Sequence, residues 1–286
     1  MKNPSSEAGE NHGRLIAPWA VHATSWSRIA SPLRPCPEDL QRLKETWVAS
    51  LPAGIPGRRI DVLMLGVTPE IAHFPWADEF MLRAVDSSSE MIQWVWPGDA
   101  PHRTALLGRW ESMPLADASF DLIVSDDGLA VLVEMASLTA VAGELRRLLK
   151  PDGRVVIRQF IRTANIDTEE SIVAATEAGE VQNFHGLKLR LLLMLDGRTP
   201  ERGVRVGDVW ECFQRLFPDR ESLARRLGCD QQTIATIDNY RGRDGRFIFR
   251  SLDVLARVFD RFQMVEGPAG HYPFAQYCPV FSLTPI

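Results

Sequence analysis

The chain lacks several features that would have narrowed its role at once. No segment approaches the roughly 18 consecutive apolar residues needed to span a bilayer, and the polar opening MKNPSSEAGENHGR has no apolar centre of the signal-peptide kind. A cytoplasmic protein with no membrane partner is therefore expected. Positive charge is not in excess either: 32 Lys and Arg against 37 Asp and Glu leave a formal net charge of -5. Nothing draws the chain as a whole toward nucleic acid. The four cysteines, Cys36, Cys212, Cys229 and Cys278, show no paired spacing of a zinc site. The six histidines, His12, His22, His73, His102, His185 and His271, likewise form no ligand pairs, so no metal is expected. Internal repeats and low-complexity tracts are absent.

What remains has ordinary globular composition, 45% hydrophobic and 24% charged over 286 residues, enough for one large α/β domain or two small ones. Apolar residues at helical spacing predict a helix over Pro37 to Ser50, carried by Leu40, Leu43, Trp47 and Leu51. After the break PAGIPG the pattern alternates. Strands are read at Ile60–Leu65, Phe80–Val85, Ala105–Gly108, Phe120–Ser125 and Arg154–Phe160, with helices from Thr68, over Ser88–Trp96 and over Leu138–Leu149. Such alternation implies a parallel sheet with helices on both faces. Between about Asn165 and Gly245 the segments LKLRLLLML, VGDVWECFQRLF and ESLARRLG are helical, around the turn-prone GRTPERGVRVG, and read as an insertion. A helix over Ser251–Phe262 and a strand over Gln263–Glu266 resume the alternation. The last strand, near Tyr277–Leu283, follows too closely to be a parallel neighbour, because a parallel crossover needs about a dozen residues or more. It should run antiparallel.

The loop after the first strand, VLMLGVTPEI, is poor in glycine. Gly66 alone supplies the tight turn and the close backbone approach that a nucleotide-type ligand needs. Thr68 is a suitable N-cap and Pro69 suits the first helical position. Glu70 puts a carboxylate in the first turn, which favours a ligand bearing an ammonium or sulfonium group over one bearing phosphates. Twenty positions after Gly66, at the end of the next strand, stands Asp86, where an acidic side chain can hold ribose hydroxyls. Ser87 and Glu90 have capping-box spacing. Trp110, after the third strand, offers a flat apolar surface to an adenine edge.

These stretches together resemble the class I, seven-strand Rossmann-like S-adenosylmethionine-dependent methyltransferases. The resemblance rests on VLMLGVTPE, RAVDSSSEMI, WESMPLADASFDLIVSDDGL and LRRLLKPDGRVVIRQF, and covers roughly Leu40 to Phe160 and Phe249 to Leu283. It implies a doubly wound, mostly parallel seven-stranded sheet with an antiparallel last strand, interrupted after the fifth strand by the helical insertion. The domain organisation it implies is an N-terminal extension or cap (1–36), a cofactor-binding domain (37–164 and 246–286) and an insertion (165–245) serving as lid and substrate region. It also implies S-adenosylmethionine as cofactor, with Gly66 under the methionine moiety, Asp86 on the ribose diol and Met91 beside the adenine. Trp110 and Glu111 fall at the adenine edge, Ser125 and Asp126 at the floor near the methionine end, with Thr68, Glu70 and Ser87 in the adjoining turns. Arg34 is a candidate for the methionine carboxylate. The chain departs from the family's pattern at Met64, in place of an acidic residue, at Thr68 and Glu70, in place of glycines, and at Arg109, in place of an aspartate.

Methyl transfer asks the protein chiefly to hold acceptor and methyl in line. Where a base is needed, Asp127, His185, Tyr240 and His271 are the candidates, and Phe184 and Trp210 join His185 and Tyr240 in the insertion. A small-molecule acceptor, a hydroxyl, amine or carbon of a secondary metabolite, is the preferred reading, because SDDGL stands where methyltransferases of adenine, cytosine or glutamine amides carry an Asn-Pro-Pro-Tyr type segment. A second reading is a noncatalytic binding or regulatory protein on the same fold; a third is a nicotinamide-dependent oxidoreductase. The helix-turn-helix-like segment from Glu221 to Ile237 lacks a basic second helix, which weighs against DNA reading. The aromatic N-terminal block, with Trp19 and Trp26, is compatible with a homodimer.

Overall fold

The computed structural model describes residues 23–50, 59–76 and 80–286. His12, Trp19, His22, Leu51 and PAGIPG, considered above, lie outside them. In chain order the elements are α1 (Pro37–Ser50), β1 (Ile60–Leu65), α2 (Pro69–Ala72), β2 (Phe80–Asp86), α3 (Ser89–Trp94), β3 (Arg103–Leu107), β4 (Phe120–Asp126), α4 (Met135–Leu148) and β5 (Leu149–Arg158). Then follow α5 (Glu169–Glu177), α6 (Phe184–Arg198), β6 (Val204–Arg205), α7 (Val206–Leu216), α8 (Arg220–Arg226), α9 (Gln231–Ala235), β7 (Arg246–Phe247), α10 (Leu252–Val258), β8 (Phe262–Glu266) and β9 (Val280–Pro285). The chain forms two compact units: Arg34–Ala164 with Phe249–Ile286, and residues up to Leu33 with Asn165–Ile248.

The first unit is built on a seven-stranded sheet in the order β3-β2-β1-β4-β5-β9-β8. Strands β1 to β5 pair in parallel, while β9 runs antiparallel to both β5 and β8. The sheet and its antiparallel strand are as the sequence implied. The central strands are apolar through their middles because both faces are covered there: Val62, Leu63, Met64 and Leu65 in β1, and Leu122, Ile123 and Val124 in β4, are all but inaccessible. Helix α4 lays Leu138, Val141, Leu145 and Leu148 into the same core as Val155, Ile157, Phe281 and Leu283.

Two local expectations are corrected. The helix beginning after Thr68 stops after one turn, because Pro75 disfavours helical backbone at Phe74; Thr68 precedes it without a side-chain capping bond. Phe74 and Trp76 instead pack with Trp47, whose ring stacks on Trp76 at 4.6 Å. The next helix is capped by Ser88, not Ser87: Ser88 Oγ accepts the Met91 N–H. The reason is Asp86, whose Oδ1 takes the Ser88 N–H at 2.8 Å and fixes Ser88 in the non-helical position.

The second unit is helical. Its turn-prone stretch contains β6, which pairs antiparallel with β7 across some forty residues, a pairing no local pattern announces. Helix α6 is buried nearly all round, including Lys188, whose Nζ stands 4.0 Å from the centre of the buried Tyr240 ring. Burial pushes that ammonium down to a pKa of about 7. In the helix-turn-helix-like segment, α9 has only five residues, and Leu223, Ile234 and Ile237 are interior. Among the described residues no helix is long and apolar enough to cross a membrane.

Candidate active site at the carboxyl ends of the sheet

Strand order reverses between β1 and β4, and the crevice at their carboxyl ends is where an open α/β sheet takes its ligand. β1 ends in Gly66, whose φ of +86° is a backbone state that side chains other than glycine adopt at a cost. Its N–H donates to the Val85 carbonyl at 2.9 Å, tying the loop to β2. Asp86 follows at once. Its Oδ2 lies 3.9 Å from where a Cβ on Gly66 would stand, so the carboxylate and the glycine face one another. Burial pushes the Asp86 carboxyl up to about 6, against the backbone N–H groups of Ser88 and Ser87.

Trp110, half-buried, lies across the same place. Its Nε1–H donates to the Val85 carbonyl at 2.7 Å, and its ring reaches both Gly66 and Gly128. A Cβ on Gly128 would meet the ring at 3.0 Å and Ser125 Oγ at 2.7 Å, which makes Gly128 a second glycine required by close approach. Sequence reading missed it, because it falls outside the first loop. Ser125 Oγ is buried with no hydrogen-bond partner among the described residues.

At the ends of β4 and β5 the chain gathers charge. Asp126 pairs with Arg158 at 2.6 Å, and Arg158, fully buried, also pairs with Asp39 of α1 at 3.1 Å. Tyr272 donates to Asp39 at 2.8 Å. Burial pushes Asp126 up to about 6, opposed by Arg158. Asp127 adopts a left-handed conformation, φ 52°, and its Oδ1 accepts the Phe160 N–H at 3.0 Å and the Gln159 amide at 2.6 Å. Burial holds its carboxyl well above the ordinary range. Arg158, Asp39 and Tyr272 escaped the sequence reading; a charge inside the apolar VVIRQF was the available signal.

The remaining candidates are dispersed. Arg34 pairs with Glu70 at 2.6 Å, beside a cavity of about 490 Å³ lined also by Leu40, Pro69, His73 and Phe74. Met91 is interior, Glu111 pairs with Arg109 at 2.9 Å, Ser87 touches the site through its backbone N–H on Asp86, and the exposed His271 bonds to Glu38. His185 and Tyr240 are buried in the helical unit, where His185 Nε2 lies 2.9 Å from the Arg28 carbonyl oxygen. Among the described residues no group of three His, Cys, Asp or Glu side chains is placed to hold a metal.

Residues 63–157 match the family model of the methyltransferase domain. No curated protein matches the sequence significantly. Among solved structures, the DhpI–SAH complex aligns with a TM-score of 0.53 at 15% identity, over 96% of each chain. A Rhodobacter sphaeroides protein named for the Zn-dependent alcohol dehydrogenases aligns at 0.54 and 15% identity, over 93% of this chain and 98% of that one. At such identities both speak to the fold alone. The matched segment runs from β1 to β5, and with the antiparallel β9 between β5 and β8 the sheet has the seven-stranded, Rossmann-like arrangement.

Proposed function

We propose that the protein is an S-adenosylmethionine-dependent methyltransferase whose acceptor is a small molecule bearing a hydroxyl, amine or carbon nucleophile. One observation carries the reading: the Asp86 carboxylate and the positive-φ Gly66 face each other at the ends of adjacent parallel strands. The donor set fits an adenosyl sulfonium compound. A carboxylate would serve the ribose diol, bare backbone at Gly66 would admit close approach, Ser125 Oγ is an unmatched polar atom beside Gly128, and Glu70 and Arg34, paired with each other, stand at the first turn. When bound, such a cofactor supplies an already activated methyl group.

What the chain must then add is alignment, exclusion of water and, for a protonated acceptor, a base. Asp127 is committed to the Phe160 backbone, so the base is assigned to Asp126, oriented by Arg158 and raised to about 6. With the cofactor bound, its sulfonium would give up the methyl group to the acceptor and leave as the thioether with the C–S electron pair, while the Asp126 carboxylate would take the acceptor's proton.

Calorimetric titration tests the reading. S-adenosylmethionine and S-adenosylhomocysteine are expected to bind, and NAD to give no heat. The ionised Asp86 accepts from the diol more strongly than the neutral acid does. Binding therefore favours the deprotonated form, and affinity for S-adenosylhomocysteine should rise with pH through about 6. D86N should weaken binding by about ten- to a hundredfold, for a lost charge-assisted bond, and remove its own share of the pH dependence. An NAD response without an adenosyl-sulfur response would defeat the proposal.

A further inference from the structure

The crevice already holds a flat, bicyclic group. The Trp110 indole carbon Cζ2 lies 3.9 Å from the Cβ position of Gly66, and Cη2 and Cζ3 lie 3.0 and 3.1 Å from that of Gly128. The ring is anchored on its Gly66 side by the 2.7 Å bond from Nε1–H to the Val85 carbonyl, the same carbonyl that accepts from Gly66 N–H. The side chain thus covers the glycine that Asp86 faces. A ligand that rests its sugar on Asp86 and lies over the Gly66 backbone on the side of the missing Cβ meets this ring, and two groups cannot fill one volume. The ring is held by one neutral hydrogen bond and by packing against the edge of the apolar core, it is only partly buried, and it stands on a turn closed by the short antiparallel bridge between Arg109 and Ser112. Rotation of one side chain clears the floor without unfolding the sheet.

We propose that Trp110 is a built-in occupant of the cofactor crevice, a side chain that competes with the adenosyl ligand for the floor between Gly66 and Gly128 and must swing out before that ligand binds. This rests on the reading of the crevice as the S-adenosylmethionine site, and it reverses the sign expected of Trp110 from sequence. An aromatic wall for adenine strengthens binding, whereas an occupant weakens it by the fraction of molecules in which it is in place.

The sign decides between them. With S-adenosylhomocysteine as probe, titrated into the full chain, W110A should bind about tenfold more tightly than the wild type, as expected when about a tenth of the wild-type molecules are open. W110F, which keeps a ring but loses the donor, should fall between them. One of eight tryptophans is at stake, so the fluorescence change of the wild type on binding, less that of W110F, reports Trp110 leaving its carbonyl and should be clearly non-zero. Thermal melts verify that each variant is folded, and if W110A is not, W110F alone serves: tighter binding than wild type supports the occupant, and equal or weaker binding overturns it. Wild-type binding that W110A leaves unchanged or weakens overturns the occupant while keeping the crevice. Failure of wild type, W110A and W110F alike to take up the probe removes the crevice reading and this proposal with it.

Discussion

Asp127 illustrates what one residue does when its backbone and its side chain are both spoken for. Its left-handed φ of 52° is one that Asp and Asn tolerate better than other non-glycine residues. Its Oδ1 satisfies the Phe160 N–H just beyond β5, while Gln159, held by the same oxygen, accepts the Leu129 N–H at 3.2 Å. The carboxylate therefore stitches the exit of β4 to that of β5. D127A leaves the Phe160 donor unmatched and should destabilise the protein by about 1–3 kcal/mol. D127N keeps the acceptor and the tolerant backbone and should retain most of the stability; urea denaturation of the two variants separates them. Sequence placed Asp127 just past a strand and left proton transfer and turn formation both open. The Phe160 contact that settles its bonding comes from thirty-three residues away.

At the scale of elements, α1 is joined to the sheet by charge as well as by Leu43 and Trp47. Asp39, inaccessible to solvent, pairs with Arg158 at the end of β5 and with Arg42 at 3.3 Å on its own helix, and Arg42 donates to the Pro268 carbonyl at 2.8 Å. A buried pair is costly to break because the survivor keeps its charge without a partner. R158L takes from Asp126 its cation and leaves Asp39 with Arg42 and Tyr272, and should cost about 3–5 kcal/mol in chemical denaturation. Much at this scale was legible. Apolar runs gave β1 and β4, amphipathic spacing gave α1, and Pro75 carried the signal for the early end of α2 although the reading let that helix run on. The serine run before Glu90 was not decidable locally, since Ser87 and Ser88 are equivalent as caps until Asp86 takes the Ser88 N–H. The bonding of Asp39 was equally invisible, because an acidic residue in the first turn of a helix has a sufficient local explanation in the helix dipole.

At the scale of the molecule, β9 closes the first unit's sheet by sitting antiparallel between β5 and β8, with Val280, Phe281 and Leu283 wholly interior. Removing the residues after Pro279 would expose facing edges of β5 and β8 and open the core around Phe281. The truncated chain should be insoluble or lack a cooperative melting transition, as read by soluble yield and calorimetry. In sequence, the antiparallel sense of that strand rests on a last strand starting near Tyr277, about ten residues after Glu266; the connection is in fact 267–279, long enough for a crossover, and the pairing with β5 and β8 is what fixes the sense. Sequence by itself determined the alternation of strand and helix, the switch point beside Gly66, and the acidic residue twenty positions on, since each is set by the order of residue types along a few turns of chain. Only the tertiary structure decided that Trp110 lies on Gly66 and Gly128, that Arg158 is shared by Asp39 and Asp126, and that Asp127 is bound to backbone. These are contacts between residues far apart in the chain, fixed by how strands stack side by side and by which buried polar atoms find partners there, and no local pattern encodes them.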